Sequence, residues 1–345
     1  MTQQTNDAGD AAPHLGRASP VPVPHDTRRH RLSLHRIAAA ARGIDALFRD
    51  TPQFECEPLS ALAACRLTIK VETLNPLRSF KGRGADWFMA QRAARAAHGP
   101  LVCASAGNFG QAMAYVCRRH RVKLTIFAAE TVNPLKLERM RALGATIVPV
   151  SYTEAWKAAE AHAFEGMDGT FIHPFDNQDF ITGHGTMGLE IVEDLPEVRT
   201  VICAIGGGGL ITGVGSAVKA LRPDVEVVGA EPETAAPYAY SLEQGAPSKF
   251  TDWQASFVDG AGGQSVTERM WQRMRPIAGR SIVVTRDETR QAMRLIAEKA
   301  RAVAEGAGAL SLAAALTGKA GDGPIVCVVS GGNIDLKKFA ELVTS

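Results

Sequence analysis

From residue 101 onward, short apolar runs alternate along the chain with amphipathic stretches. Each apolar run has the length of a buried strand, and the stretches between them carry apolar residues at helical spacing. Strands that are apolar on both faces are typical of parallel sheets covered by helices. The pattern therefore predicts a βαβαβαβ unit, with strands at residues 101–104, 124–127, 145–148 and 171–173 and helices at residues 111–120, 134–143 and 153–165.

A second set of strand-like runs lies at residues 201–205, 225–229 and 324–329, and two of these runs end in glycine-rich loops that open helices. Parallel sheets bind ligands at the carboxyl ends of their strands, where such loops fall. We therefore predict an α/β fold of two lobes, each with a parallel sheet flanked by helices, and with the small lobe inserted in the large one. The predicted large lobe comprises residues 31–98 and 177–345, and the predicted small lobe comprises residues 99–176.

Two segments fall outside this alternation. Residues 1–30 are rich in Thr, Gln, Asp, Ala and Pro and lack the continuous apolar core of a signal peptide, so a disordered tail is expected there. Residues 237–263 show little periodicity, and the sequence predicts an irregular connection for them.

The composition narrows the classes of partner. Of 345 residues, 46% are hydrophobic and 21% are charged, which is enough to build the cores of two lobes. A net charge of +2 without long runs of like charge argues against nucleic acid or a membrane as the partner. The cysteines are scattered and lack Cys-x-x-Cys spacing, so the sequence indicates neither a metal site nor a disulfide framework and is typical of a cytoplasmic protein.

Four consecutive glycines follow the predicted strand at residues 201–205 and precede a helix. In that position successive backbone N–H groups can line one concavity with a helix N-terminus behind it, an arrangement that binds phosphate. The spacing does not fit a G-x-G-x-x-G dinucleotide loop, since Ile211 or Thr212 takes the place of the third glycine. A tight turn alone would need one or two glycines. The loop therefore favours a phosphate monoester, with contacts from Gly206, Gly207, Gly208, Gly209 and Leu210.

Lys81 lies in the segment Ser79-Phe80-Lys81-Gly82-Arg83-Gly84-Ala85. On burial statistics alone a solvated lysine is the better interpretation, because lysines are seldom buried. A lysine that reacts as an amine needs a largely apolar pocket that favours its neutral form, and Phe80 could supply part of that wall.

Two further polar loops follow predicted strands. Ser105-Ala106-Gly107-Asn108 ends one strand and begins a helix, so its N–H groups and hydroxyl are suited to a carboxylate. Taken alone, these residues are better explained as a helix cap. Ser330-Gly331-Gly332-Asn333 follows the last strand.

These four motifs, in this order, resemble the serine/threonine dehydratase (ammonia-lyase) branch of the fold type II pyridoxal-phosphate enzymes. The resemblance spans about residues 51–336, which is nearly the whole chain. It implies a two-lobed, tryptophan synthase β-like fold, pyridoxal 5′-phosphate as cofactor, an amino acid as small-molecule substrate, and a homodimer.

The resemblance also implies roles for individual residues. It makes Lys81 the group that holds the cofactor aldehyde and then removes the substrate's α-proton, and it places Asn108 on the ring hydroxyl. It places Ser330 on the pyridine nitrogen, where a neutral hydroxyl leaves the ring a weaker electron sink than an aspartate would. Glu305 matches a glutamate near the ring edge, although an exposed glutamate before a turn explains it almost as well. The implied cofactor contacts are Phe80, Lys81, Asn108, Gly206, Gly207, Gly208, Gly209, Leu210, Glu305 and Ser330. The implied contacts to the substrate carboxylate are Ser105, Ala106, Gly107 and Asn108.

The activity implied is β-elimination from a β-hydroxy-α-amino acid such as L-threonine or L-serine, giving a 2-oxo acid and ammonia. Cysteine synthase-like β-replacement, threonine synthase-like γ-replacement and a bulkier or more apolar 3-hydroxy amino acid stay open as alternatives. Outside the family, a dehydrogenase or a catalytically silent binding protein stays open.

Several positions depart from the patterns of relatives. Phe109 stands where these dehydratases usually have histidine, and Ala106 stands where eukaryotic-type serine racemases have a second acid/base serine. Glu231 matches one metal ligand of some relatives, but Pro237 replaces an aspartate there, so no metal is expected. No regulatory domain is expected after Ser330.

Overall fold

A computed structural model describes residues 32–105, 107–130, 132, 134–164 and 166–344, so the tail expected at residues 1–30 lies outside it. The strands, in chain order, are β1 (Gln53–Glu55), β2 (Leu67–Val71), β3 (Leu101–Ala104), β4 (Leu124–Ala129), β5 (Thr146–Val150), β6 (Thr170–Phe171), β7 (Thr200–Ala204), β8 (Glu226–Pro232), β9 (Arg280–Val284) and β10 (Ile325–Val329). The α-helices are α1 (Leu34–Gly43), α2 (Glu57–Ala63), α3 (Lys81–Ala94), α4 (Asn108–His120), α5 (Pro134–Ala142), α6 (Tyr152–Ala161), α7 (Gln178–Asp194), α8 (Gly209–Leu221), α9 (Pro237–Gln244), α10 (Glu268–Met274), α11 (Arg286–Ala300), α12 (Gly306–Leu316) and α13 (Leu336–Thr344).

The strands form two sheets. A six-stranded sheet has the order β1-β2-β10-β7-β8-β9, and only its β1–β2 pair is antiparallel. A four-stranded sheet has the order β5-β4-β3-β6 and is parallel throughout. The chain leaves the large sheet after β2 and returns to it with β7, so the smaller sheet is an insertion. The predicted α/β fold is confirmed, while the residue boundaries of the two lobes stay a prediction.

The core of the larger lobe covers both faces of its sheet, because successive side chains of a strand point to opposite faces. In β7, Ile202 and Ala204 pack into the cluster that includes α11 and α12, whereas Val201 and Cys203 pack into the cluster that includes α7 and α8. Cys203 is fully buried and packs as a small core residue. Among the helices that the structure describes, none is long and apolar enough to cross a bilayer.

The topology brings three of the predicted loops to one edge. Strand β10 lies between β2 and β7 and is parallel to both. The carboxyl ends of parallel strands meet at the same edge of a sheet, so the turn at Lys81, the glycines at residues 206–209 and the loop at Ser330 start side by side. The Ser105–Asn108 loop follows β3 at the corresponding end of the smaller sheet.

The prediction for residues 237–263 is wrong. Residues 237–263 were expected to be irregular, but they include helix α9. Pro237 stands in its first turn, and the carboxylate of Glu231 accepts the N–H groups of Tyr238 and Ala239 at 2.8 Å each. Because this cap comes from a neighbouring strand, the local sequence pattern does not reveal it.

Candidate active site

Lys81 begins helix α3 at the opening between the two lobes, where Asn108 of the smaller lobe meets Glu305 and Asn333 of the larger lobe. Its Nζ donates a hydrogen bond to the carbonyl oxygen of Pro174 at 3.1 Å and lies 4.8 Å from the ring centre of Phe80 and 5.8 Å from that of Phe109. Burial lowers the pKa of Lys81 to about 8. A substantial fraction of this amine is therefore neutral, and hence nucleophilic, near physiological pH.

The four glycines form the turn from β7 into α8. Gly208 is the N-cap residue, with a φ of 86°, and it offers no side chain to cap the helix. The first N–H groups of an α-helix have no partner within the helix, so Gly209, Leu210 and Ile211 present donors at its positive end. A Cβ on Gly207 would overlap the ring of Phe175, and one on Gly208 would overlap the sulfur of Met274. Only glycine fits this close approach, which leaves a helix N-terminus open to an anion.

Asn108 carries the contact of the Ser105–Asn108 loop with the larger lobe. Its Nδ2 donates to Glu305 Oε1 at 2.6 Å, and its Oδ1 accepts from Asn333 Nδ2 at 2.8 Å. Gly107 is the N-cap of α4, and its N–H approaches the hydroxyl of Ser105 at 3.4 Å. Ala106, predicted to contact the substrate, lies outside the described residues. The loop thus places a second helix N-terminus across the opening from Lys81.

Glu305 is a buried carboxyl group at the start of α12. Burial raises its pKa to about 7, Asp259 adds to the rise, and Asn108 and Lys136 oppose it. A Cβ on Gly331 would overlap Glu305 Oε1. Glu305 is therefore a proton-holding group near neutral pH, packed against the loop that follows β10.

Ser330 is buried directly after β10, next to the lysine turn. Its carbonyl oxygen accepts the N–H of Phe80 at 3.0 Å, and Ser79 pairs with Gly331 in an isolated antiparallel bridge. Backbone hydrogen bonds therefore join the residue before Lys81 to the predicted partner of the pyridine nitrogen.

The segment that returns the chain to the larger lobe contributes contacts that sequence reasoning missed. The Pro174 carbonyl binds Lys81, and the ring of Phe175 packs on Gly207. His184 of α7 is also near, with its ring centre 4.6 Å from that of Phe80, and burial followed by the charges of Lys81 and Arg83 holds its pKa well below the usual value. The His173-Pro174-Phe175 run, which begins two residues after the end of β6, was the available signal, since polar residues at strand ends mark sites in parallel sheets.

The residues present fit a phosphorylated aldehyde. A largely buried amine, a glycine-lined helix N-terminus, an amide side chain and a serine at a strand end are brought to one opening. The described residues hold no cluster of three or more His, Cys, Asp or Glu side chains suited to a metal ion. Both carboxylate oxygens of Glu231 are already engaged, by Tyr238 and Ala239 N–H and by the hydroxyl of Ser281 at 2.7 Å.

Comparison with known proteins places this site in a family. Residues 44–331 match the sequence model described as "Pyridoxal-phosphate dependent enzyme". The chain is 32% identical over 323 residues to the biosynthetic L-threonine dehydratase of Bacillus subtilis, which covers 90% of this chain and 75% of the relative.

Two solved structures share the fold. The processed form of threonine deaminase isoform 2 from Solanum lycopersicum superposes with a TM-score of 0.80 at 27% identity, covering 94% of this chain and 95% of that one. Serine racemase from Dictyostelium discoideum superposes with a TM-score of 0.76 at 29% identity, covering 87% and 98%.

The chain therefore belongs to the family of pyridoxal-phosphate dependent enzymes, in the fold type II architecture. Its cofactor is pyridoxal 5′-phosphate. Within the family it falls in the serine/threonine dehydratase branch. The roles of individual residues stay predictions.

The pH dependence of Lys81 tests its environment. With a pKa of about 8 rather than 10.5, the amine is protonated below pH 8 and neutral above it. In cofactor-free protein we expect the acetylation rate of Lys81 by acetic anhydride to rise about tenfold per pH unit up to pH 8 and then to level off. Peptide mass spectrometry gives the rate, with the exposed Lys337 of the same sample as reference. A rise that continues to pH 10 would contradict the assignment.

The glycine turn is tested by Gly208→Ala. A left-handed φ of 86° and overlap with Met274 would shift the turn and its N–H groups. Backbone strain of this kind costs about 1–3 kcal/mol, so we expect the Kd for pyridoxal 5′-phosphate to rise about tenfold. Gly245→Ala is the matched control, because Gly245 has a φ of 73° but nothing within 4 Å of its Cβ position. An equilibrium titration in which both variants bind pyridoxal 5′-phosphate like the parent would count against phosphate binding at the glycine turn.

Proposed function

We propose that the protein is an ammonia-lyase that converts a β-hydroxy-α-amino acid to a 2-oxo acid and ammonia, with L-threonine and L-serine as first candidates. The observation that carries the proposal is the largely buried Lys81 amine, with its lowered pKa, beside the Ser105–Asn108 loop and Ser330. The names of the threonine dehydratase and threonine deaminase relatives support the choice of reaction.

The glycines and Leu210 would hold the cofactor phosphate. The N–H groups of Gly209, Leu210 and Ile211 lie in the first turn of α8, where the helix dipole favours negative charge. Phe80 would pack beside the lysine. When bound, pyridoxal phosphate supplies an aldehyde that takes up the substrate amine and a ring that accepts the electron pair left after proton removal.

Ser330, Asn108 and Glu305 would set the charge around the ring. Ser330 offers the pyridine nitrogen a neutral hydroxyl, which disfavours a protonated ring and thereby a long-lived carbanion. Asn108 is oriented by Glu305 and Asn333, so its amide is held in one position to bind the ring hydroxyl. Glu305, with a pKa of about 7, would hold a proton near the ring edge without adding a full negative charge.

Lys81 is the proposed base. Its amine would accept the substrate's α-proton, because its lowered pKa leaves part of it neutral. The Pro174 carbonyl then orients the nitrogen through the hydrogen bond of 3.1 Å. The N–H groups at the start of α4, with Ser105, Ala106, Gly107 and Asn108, would bind the substrate carboxylate and so fix which bond faces the lysine. Loss of the proton and of the β-hydroxyl removes water, and hydrolysis of the product yields ammonia.

Phe109 would line the pocket for the substrate's side chain. It is buried, and its ring centre lies 4.9 Å from that of Phe180 and near Lys81. This apolar surround favours threonine over serine and keeps a bulkier or more apolar 3-hydroxy amino acid as a second candidate. The homodimer and the cytoplasmic location stay predictions.

The proposed function is tested by screening β-hydroxy-α-amino acids for ammonia release by the holoenzyme. We expect Lys81→Ala to abolish turnover, because the cofactor anchor and the base are lost together, with a loss of at least about a thousandfold. Circular dichroism controls for folding, and Lys337→Ala controls for the loss of a surface lysine. Turnover of Lys81→Ala within tenfold of the parent would sink the assignment.

Elimination is expected to exceed racemisation. Racemisation needs an acid/base group on both faces of the substrate's α-carbon, and alanine, which has no hydroxyl, stands at position 106, where the resemblance places the second acid/base serine of the racemases. Chiral chromatography of a reaction with L-serine should therefore give pyruvate with little D-serine, with or without a chelator. Ala106→Ser is the comparison variant, expected to gain D-serine. D-serine forming as fast as pyruvate in the parent enzyme would refute the single-base proposal and favour a racemase.

A further inference from the structure

The turn that carries Lys81 is intrinsically weak. It reads Lys81-Gly82-Arg83-Gly84 and is the first turn of α3, whose N-cap Phe80 makes no side-chain capping bond. Each glycine in a helix costs about 1 kcal/mol relative to alanine, and helix ends fray. A base that must meet one proton of the substrate therefore stands on a turn that its own sequence does not stabilise.

Arg83 ties this turn to two other elements. Its guanidinium makes two hydrogen bonds to Glu72, at 2.8 and 2.9 Å, and two to Glu190, at 2.6 and 2.7 Å. It also donates to the hydroxyls of Thr186 at 2.9 Å and Thr51 at 3.0 Å. Glu72 lies just beyond β2 and Glu190 lies in α7, so a planar, five-donor group is clamped from two sides.

The charges in this network balance. Lys70 Nζ pairs with Glu190 at 2.6 Å and donates to the Thr51 carbonyl at 2.8 Å, so two cations meet two carboxylates. The exposed fractions of these four side chains lie between 0% and 12%. A buried ion network of this kind adds little stability over an apolar cluster of the same size, because desolvation offsets the attraction. What it supplies here is fixed geometry.

The network also reaches the strand that carries Ser330. The N–H of Glu72 donates to the carbonyl of Val329 at 3.0 Å, and the N–H of Phe80 donates to that of Ser330 at 3.0 Å. Arg83 is thus bonded to the residue that sets the register of β10 at its carboxyl end. The position of Lys81 relative to Ser330 follows from these bonds.

We propose that Arg83 is a positioning residue, whose clamped guanidinium holds the first turn of α3 so that the Lys81 amine meets the substrate's α-proton. The inference rests on the proposed function of Lys81. In this role Arg83 acts on Lys81 through the helix turn and not by touching the cofactor or the substrate. Loss of the Arg83 guanidinium should leave substrate binding largely intact and slow the removal of the α-proton by Lys81.

Amide hydrogen exchange in cofactor-free protein is the first test, since it needs no activity. Arg83→Lys keeps the charge but cannot bond both carboxylates in two-pronged fashion, so we expect exchange of the peptide covering residues 82–86 to be at least about tenfold faster. Arg92→Lys is the matched control, because Arg92 is a buried arginine of the same helix that binds the carbonyl of Gly99 at 2.7 Å. Unchanged exchange in Arg83→Lys, or an equal increase in Arg92→Lys, overturns the proposal.

Amine rescue is the second test. With Lys81 present, we expect Arg83→Lys to lower kcat for ammonia release about a hundredfold with little change in KM, the cost of a displaced catalytic group. In Lys81→Ala protein supplied with methylamine, the same change should cost less than about threefold, because the added base needs no turn to carry it. An equal loss in both backgrounds means that Arg83 supports the whole site and overturns the proposal.

Failure of the proposed function is distinguishable. If no amino acid releases ammonia from the parent enzyme, the lyase assignment fails, while the exchange experiment still decides the role of Arg83. If Arg83→Lys does not fold, Glu190→Gln replaces it, since this variant keeps the side-chain size and the Glu72 pair. It should speed exchange at residues 82–86 in the same direction by a smaller factor, and no change there overturns the proposal.

Discussion

The site depends on the amide side chain of Asn108, which joins the two sheets. Asn108 starts a helix of the smaller lobe, yet it donates to Glu305 and accepts from Asn333, both in the larger lobe. An amide has distinct donor and acceptor ends, so these bonds fix its orientation as well as its position. The Ser105–Asn108 loop of the smaller lobe is thereby held at a defined distance from Glu305 and from the loop that follows β10 in the larger lobe.

Burial shifts the pKa values of Lys81 and Glu305 in opposite directions, and both shifts favour the neutral form. The Lys81 amine becomes a weaker base with a pKa of about 8, and the Glu305 carboxyl becomes a weaker acid with a pKa of about 7. Low polarity disfavours charge of either sign. At pH 7 the Lys81 amine is still mostly protonated and Glu305 is partly ionised, so the lysine and the glycine-lined helix end both favour an anion.

Much of the fold was readable from the sequence because buried parallel strands leave long apolar runs, and β3 begins and ends where the pattern predicts. The loops at Lys81 and Ser330 were readable because each follows such a run. Contacts between side chains and backbone of different elements were not readable: Glu231 of β8 accepts N–H groups at the start of α9, and Arg83 of α3 bonds to Glu72 and to Glu190 of α7. Short strands that alternate buried and exposed residues irregularly, such as β9, were not predicted either. Their burial depends on neighbouring elements that the local sequence does not reveal.

Strand order has a consequence for the synthesis of the enzyme. Strand β10 lies inside the large sheet, between β2 and β7, although it follows in sequence every other strand that the structure describes. A ribosome therefore exposes Lys81 and the glycine turn long before it makes the strand that separates β2 from β7 and carries Ser330. Contacts so distant in sequence form late in folding. A growing chain cannot complete the large sheet before β10 has emerged, so a fragment that stops before residue 325 would present Lys81 without the strand that lies between β2 and β7.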